Sequence, residues 1–181
     1  MTRQDEYDAY VYDLDGTLVS LDVDWDEVTQ NVAAVLRARG VDVDGADLWT
    51  MLELSEETGY RRKVEETITE FEREGARTAE KLPLAEALPH ERPVGVCSLN
   101  SEAACRIALE TYGLDSAVGQ IVGRDSVDTE KPDPEPLLAT IDALGAAPER
   151  TLFIGDSRRD YHTAENAGTA FIYQSKWQAQ F

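Results

Sequence analysis

The chain is poor in the residues that mark specialised protein classes. Two cysteines in 181 residues, Cys97 and Cys105, are too few for a disulfide framework and point to a reducing compartment. Cys97 ends a strand pattern and Cys105 falls inside a helical one, so both read as small core residues. No run approaches the roughly eighteen apolar residues that a membrane span requires. The opening "MTRQDEYDAY" lacks the apolar stretch of a secretory signal, and a cytoplasmic location is expected. Histidine is confined to His90 and His162, neither with a partner at metal-ligand spacing. Internal repeats, low-complexity tracts and glycine-rich linkers are also missing.

Positive charge is scarce as well. Against 36 acidic residues stand 17 basic ones, for a net charge of −19. The acids run through nearly every polar stretch instead of gathering in one tail, which fits an evenly charged folded surface better than a disordered arm. Such a surface repels nucleic acid and anionic membranes, so neither is an expected partner. It also repels itself at low salt, which suggests a salt-adapted, halophilic protein. A merely acidic mesophilic chain is the plainer alternative.

What is present is a globular composition, 42% hydrophobic, in a chain long enough to bury a core. Short apolar runs recur: "AYVYDL", "PVGVCSL", "GQIVG", "TLFIGD" and "TAFIYQ". Helical patterns separate the later ones. "SEAACRIALETYG" ends on Gly113. "DPEPLLATIDALG" offers Asp133 as N-cap and Pro134 at the first helical position. "SRRDYHTAENAG" opens like a capping box and stops at Gly168. Strands alternating with single helices predict an α/β fold with a parallel sheet covered on both faces.

Residues 20–82 break this rhythm and offer no convincing strand. Val28, Val32, Val35 and Leu36 fall at helical spacing, as do Leu48, Trp49 and Leu52, then Tyr60, Val64, Ile68 and Phe71. The expected organisation is a catalytic core from 1–19 and 83–181, with an all-helical cap at 20–82 inserted after the first strand.

Ligands of open parallel sheets bind beyond the carboxyl ends of the strands, and polar residues stand at several of those ends. The first strand ends on Asp13 and Asp15, the second on Ser98 with Asn100 and Ser101 behind it, the fourth on Asp156 with Asp160 four residues on. Lys131 follows the third. Each alone is ordinary: Asp15–Gly16 is a turn former, and Asp156 and Asp160 suit a helix start. Asp13 and Asp15, one residue apart, repel unless a positive partner sits between them.

"DLDGT", an apolar run ending in serine, the lysine of "KPDP" and "GDSRRD", in that order, resemble the haloacid dehalogenase superfamily of phosphatases. The helical insertion resembles the cap of its phosphoglycolate phosphatase-like branch. The resemblance implies a Rossmann-like doubly wound parallel sheet and a Mg²⁺-dependent phosphomonoester hydrolase acting on a small phosphorylated metabolite. Phosphoglycolate is the substrate its cap type favours. Asp13 would be the nucleophile, forming an aspartyl-phosphate, and Asp15 the general acid and base. Gly16 would let the turn aim amides at the phosphoryl oxygens, with Thr17 adding a hydroxyl. Mg²⁺ would be held by the Asp13 and Asp156 carboxylates and the Asp15 carbonyl. Asp160 would hold a metal-bound water or orient its neighbours. Ser98 and the Leu99 amide would bind a phosphoryl oxygen, and Lys131 would neutralise charge. A phosphomutase using the same residues, or a non-catalytic binding protein on the same scaffold, are the alternatives.

Trp25, Trp49 and Trp177 read as packing or interface residues. Arg61, Arg62 and Lys63 read as solvated cap residues, with an anionic substrate as a second use. The charge reading has a direct check. Screening lengths fall from about 30 Å at 0.01 M salt to about 3 Å at 1 M, so a salt-adapted chain should gain thermal stability steeply between millimolar and molar KCl. A melting temperature that stays flat over that range identifies a merely acidic protein.

Overall fold

The computed structural model describes residues 6–180. Its centre is a five-stranded parallel sheet in the order β5–β4–β1–β6–β7. The strands are β1 (Ala9–Tyr12), β4 (Val94–Cys97), β5 (Gln120–Val122), β6 (Thr151–Gly155) and β7 (Ala170–Tyr173). Alternate side chains take opposite faces. Tyr10, Tyr12, Val96 and Ile154 meet α4 (Glu102–Thr111) and Trp177 of α7 (Gln174–Gln178) on one side. Val11, Cys97 and Phe153 meet α5 (Glu135–Ala143) and α6 (Arg158–Ala167) on the other. Burial on both faces explains why these strands read as unbroken apolar runs. From β1 the chain winds outward to β4 and β5, then crosses to the other side of β1 to form β6 and β7. The order reverses between β1 and β6, where such sheets take their ligands.

The helix starts follow local chemistry. Ser157 Oγ accepts from the Asp160 amide at 3.1 Å and Asp160 Oδ2 accepts from the Ser157 amide at 3.2 Å, a reciprocal capping box on α6. At α5 the structure shifts the expected cap by one residue. Pro134 stands at the N-cap, while Asp133 Oδ1 accepts from the Glu135 amide at 2.9 Å. Proline has no N–H to leave unsatisfied there, so the preceding aspartate serves the turn.

The segment between β1 and β4 carries α1 (Trp25–Arg37), α2 (Leu48–Glu57) and α3 (Arg61–Arg77). Their apolar stripes close on one another around Val32, Leu36, Met51, Val64 and Ile68, a cluster separate from those of the sheet. Two strands of two residues each, β2 (Val19–Ser20) and β3 (Glu80–Lys81), pair antiparallel at the base of this unit. β3 and the end of β2 lie in a stretch that the sequence presents as strandless, because two residues are too short to show alternation.

A buried ion pair ties the helical unit to the loops that follow β4 and β5. Glu72 of α3 is fully buried, and its Oε1 and Oε2 accept from Arg124 Nη1 and Nη2 at 2.7 and 3.1 Å. Glu72 also accepts from Asn100 Nδ2 at 3.2 Å and from the Ser101 amide at 3.0 Å, both next to β4. Arg124, just beyond β5, further donates to Glu65 Oε2 at 2.9 Å and to the Leu99 carbonyl at 2.7 Å. Gly75 closes the helical unit on its own entry segment. A Cβ there would lie 2.5 Å from Val23 and 2.6 Å from the Asp22 carbonyl, so only glycine lets α3 approach that strand of backbone.

Removing one member of a buried pair leaves the other's charge without compensation, at a cost of about 3–5 kcal/mol. Glu72→Ala should lower the urea midpoint accordingly, and Glu72→Leu combined with Arg124→Met should recover most of that loss. A single substitution without effect would show that the pair does not hold the helical unit.

Candidate active site

β1 delivers Asp13 to the carboxyl edge of the sheet, where the Asp13 amide donates to the Ile154 carbonyl of β6 at 2.9 Å. The chain then folds into a tight loop. The Leu14 carbonyl accepts from the Thr17, Leu18 and Val19 amides at 3.1, 2.9 and 3.2 Å, and the Gly16 amide donates to the Val19 carbonyl at 2.7 Å. Gly16 takes φ = +84°, and a Cβ on it would lie 2.1 Å from Asp156 Oδ2, so glycine is required for both reasons. Here the structure departs from expectation. The amides of Gly16 and Thr17 are engaged by the loop's own carbonyls instead of facing outward. The Thr17 hydroxyl is buried with no partner. Neither residue lines the cavity above the sheet.

Asp13, Asp15, Lys131, Asp156 and Asp160 do line it. Lys131 Nζ donates to Asp13 Oδ1 at 2.9 Å, to Asp160 Oδ1 at 2.5 Å and to the Cys97 carbonyl at 3.1 Å. Burial works to lower the Lys131 pKa, but Asp13 and Asp160 outweigh it and hold the ammonium above its ordinary range. Burial pushes the Asp13 carboxyl up, against the opposing pull of Lys131. The Asp15 carboxyl is raised by burial too, although its Oδ1 accepts from the Leu21 amide at 2.9 Å.

One oxygen each from Asp13, Asp156 and Asp160 lies within 4.8 Å of the others. With Asp15, four carboxylates line this part of the cavity, only Asp13 and Asp160 being paired with the Lys131 ammonium, and that excess of negative oxygen suits a hard divalent cation. Asp156 is exposed where Asp13 and Asp160 are buried, so the cluster opens toward the cavity. The donor set fits Mg²⁺.

The loop after β4 is held from both sides. Ser98 Oγ donates to Asn100 Oδ1 and accepts from the Asn100 amide, both at 3.0 Å. Ser98, expected at the phosphate, is buried and does not line the cavity, and Leu99 and Asn100 are the residues of this loop that do.

Sequence reasoning did not single out Glu72 or Arg124 and read Trp25 and Trp49 only as packing or interface residues, yet all four line the cavity. Glu72 carried a signal: it extends the Tyr60–Val64–Ile68 stripe by four residues, placing a carboxylate on a buried face. Trp25 and Trp49 are cavity wall, while Trp177 packs in the core. Arg61, Arg62 and Lys63 pair with Glu65 or Glu66 along their own helix and do not line the cavity. His162 pairs with Glu165 on the surface, and His90 lies against Tyr12, on the side of the sheet away from α5 and α6.

Comparison with known proteins bears on the family and the fold. Residues 10–173 match the model of the haloacid dehalogenase-like hydrolases. A phosphoglycolate phosphatase of Rhodospirillum rubrum is 39% identical over 82 residues, which is 45% of this chain and 34% of the relative. The matched stretch therefore spans about a third of that relative's length. Among solved structures, a candidate phosphoglycolate phosphatase of Lactobacillus plantarum superposes with a TM-score of 0.66 at 25% identity, covering 96% of this chain and 88% of that one. CbbY of Rhodobacter sphaeroides in complex with phosphate has the same fold, with a TM-score of 0.62 at 20% identity and coverage of 92% and 85%. With the parallel sheet, the carboxylate cluster at its switch point and a family match over nearly its whole length, the chain belongs to the haloacid dehalogenase-like hydrolases.

Proposed function

We propose that the protein is a Mg²⁺-dependent phosphomonoester hydrolase of the cytoplasm, acting through an aspartyl-phosphate on a small phosphorylated metabolite. The observation that carries this reading is the convergence of Asp13, Asp15, Asp156 and Lys131 on one cavity at the switch point of the sheet. The names of the curated relatives support it. Residues 20–82 act as its cap, and 1–19 with 83–181 as its catalytic core.

An Asp13 carboxylate oxygen attacks phosphorus, and the bond from phosphorus to the ester oxygen breaks. Asp15, its carboxyl raised by burial, gives its proton to the departing alkoxide. Water then attacks the acyl phosphate while Asp15 takes a proton from it. Inorganic phosphate leaves and the Asp13 carboxylate is restored. Lys131 keeps its proton throughout and offsets charge on Asp13 and on the phosphoryl group. Asp160 holds Lys131 in place. The Leu99 amide, and the Ser98 hydroxyl once it turns from Asn100, donate to phosphoryl oxygens. Gly16 contributes by admitting the Asp156 carboxylate close to the backbone, and Thr17 by filling the loop. Mg²⁺ would be held by the carboxylates of Asp13 and Asp156 and the Asp15 carbonyl, and when bound it neutralises and orients the phosphate. The buried seam between cap and sheet keeps bulk water from the reacting groups.

Release of inorganic phosphate with Mg²⁺ present tests the reading. Asp13→Asn should lower kcat by about 10³-fold or more. Asp15→Asn should cost about 10²–10⁴-fold on alkyl esters, and less on p-nitrophenyl phosphate, whose leaving group needs no proton. Ordinary turnover by the Asp13→Asn protein would remove the mechanism.

A further inference from the structure

The cavity has a volume of about 480 Å³, far more than a phosphate group occupies, so its outer part must accommodate the group to which phosphate is attached. That wall is built by Trp25 and Thr29 of α1, Leu48, Trp49 and Leu52 of α2, and Ile68 of α3. Five of these six side chains are apolar or aromatic. The polar residue among them is an uncharged hydroxyl.

The charges around this wall are unevenly distributed. Lys131 and Arg124 are the only cations lining the cavity among the described residues, and both are committed. Lys131 is shared by Asp13 and Asp160, and Arg124 by Glu65 and Glu72. None of the cations of residues 20–82 lines the cavity. Arg61, Arg62 and Lys63 pair along α3, Arg37 pairs with Asp44, and Arg39 lies over the Tyr60 ring. Arg159 lies 4.3 Å from the Trp49 ring centroid; it stiffens that ring by a cation–π contact and is not part of the lining.

On the cavity side, by contrast, the cap contributes a carboxylate. Asp47 caps α2 by accepting from the Thr50 amide at 2.8 Å, and that hydrogen bond, helped by Arg159 nearby, holds it below the usual carboxylate range. A second anion on the substrate would therefore face an ionised Asp47, Asp15 and hydrocarbon, with no uncommitted cation among the lining residues to receive it. Moving a charge against apolar surface without a partner is costly.

From this wall we infer that the site selects phosphate monoesters whose alcohol is uncharged and apolar or aromatic, and discriminates against esters carrying a carboxylate or a second phosphate. The inference rests on the phosphatase reading for the position of the phosphate and extends it to the leaving group. Trp49 is its specificity-determining residue, held flat by Arg159 so that an aromatic or branched group can lie against it. Phosphoglycolate, whose leaving group is itself an anion, becomes a poor substrate on this account.

Binding of non-hydrolysable phosphonates to the Mg²⁺-loaded protein, followed by calorimetry, tests this without requiring turnover. 3-Phosphonopropionate carries the carboxylate of phosphoglycolate, and 3-methylbutylphosphonate replaces it with an uncharged branched group of the same number of heavy atoms. The uncharged ligand should bind at least tenfold more tightly, and 2-phenylethylphosphonate more tightly still, with Trp49→Ala erasing that last advantage. Equal affinity for the first two, tighter binding of the carboxylate, or binding of none of them overturns the inference. The corresponding esters separate it from the phosphatase reading. If phosphoglycolate is hydrolysed best, the selectivity is wrong and the phosphatase stands. If the binding preference holds while no ester is hydrolysed, it is the phosphatase reading that fails.

Discussion

A protonated lysine with 2% of its side chain exposed can exist only where carboxylates surround it, and the architecture is arranged around meeting that condition at Lys131. Its partners come from far apart in the chain: Asp13 stands 118 residues before it and Asp160 stands 29 after. Bringing them together requires β1 and β6 to be neighbours in register, and the segment ahead of α5 to fold back over their ends. Asp160 serves two purposes at once. One oxygen closes the capping box of α6 and the other reaches Lys131, so the start of the helix and the electrostatics of the site are the same interaction. Gly155 is the condition for it, since a Cβ there would sit 2.6 Å from Asp160 Oδ2.

A second buried cation repeats the logic where α3 meets the loops after β4 and β5. Arg124 neutralises Glu72 while donating to the Leu99 carbonyl, so the loop after β4 is positioned by a residue of α3 acting through a residue just beyond β5. Packing, cap placement and loop geometry are thereby coupled. Disturbing Glu72 would be felt at Asn100 and Ser101, which it also holds. The same commitment has a chemical consequence. Both cations are bound to protein carboxylates, so in the proposed mechanism Lys131 offsets only part of a phosphate's charge, and a divalent ion on Asp13, Asp156 and the Asp15 carbonyl would supply the rest.

How far this was legible in the sequence depended on whether the signal was local. Helix stops such as Gly168 and the capping box at Ser157 declare themselves within a few residues, and the apolar strand runs follow from two-sided burial. Asp13, Asp156 and Lys131 could be read because strand ends are recognisable and parallel sheets gather ligands there. The pair Glu72–Arg124 could not, since its members are 52 residues apart and nothing local distinguishes Arg124 from a surface arginine. Trp25 and Trp49 were legible as apolar cap residues but not as cavity wall, because the same periodicity describes a residue facing a core and one facing a ligand. The turn at Gly16 was legible as a turn, while the direction of its amides was not. That direction depends on which carbonyls the loop closes upon, and Leu14 and Val19 take them.

The net charge of −19 and the acidic site would appear to make this a poor receptor for a phosphate dianion. The two act at different ranges, however. Surface carboxylates act through solvent, where salt confines their field to about 8 Å at 0.15 M and about 3 Å at 1 M. Their effect is therefore on the rate at which an anionic ester approaches. Asp13, Asp160 and Glu72, which hold Lys131 and Arg124, are buried, their fields are scarcely screened, and their geometry is fixed by hydrogen bonds that salt does not reach. Raising the ionic strength should thus ease entry without altering the site. An acidic surface and the anion-binding role proposed for the cavity are compatible because water and salt separate the one from the other.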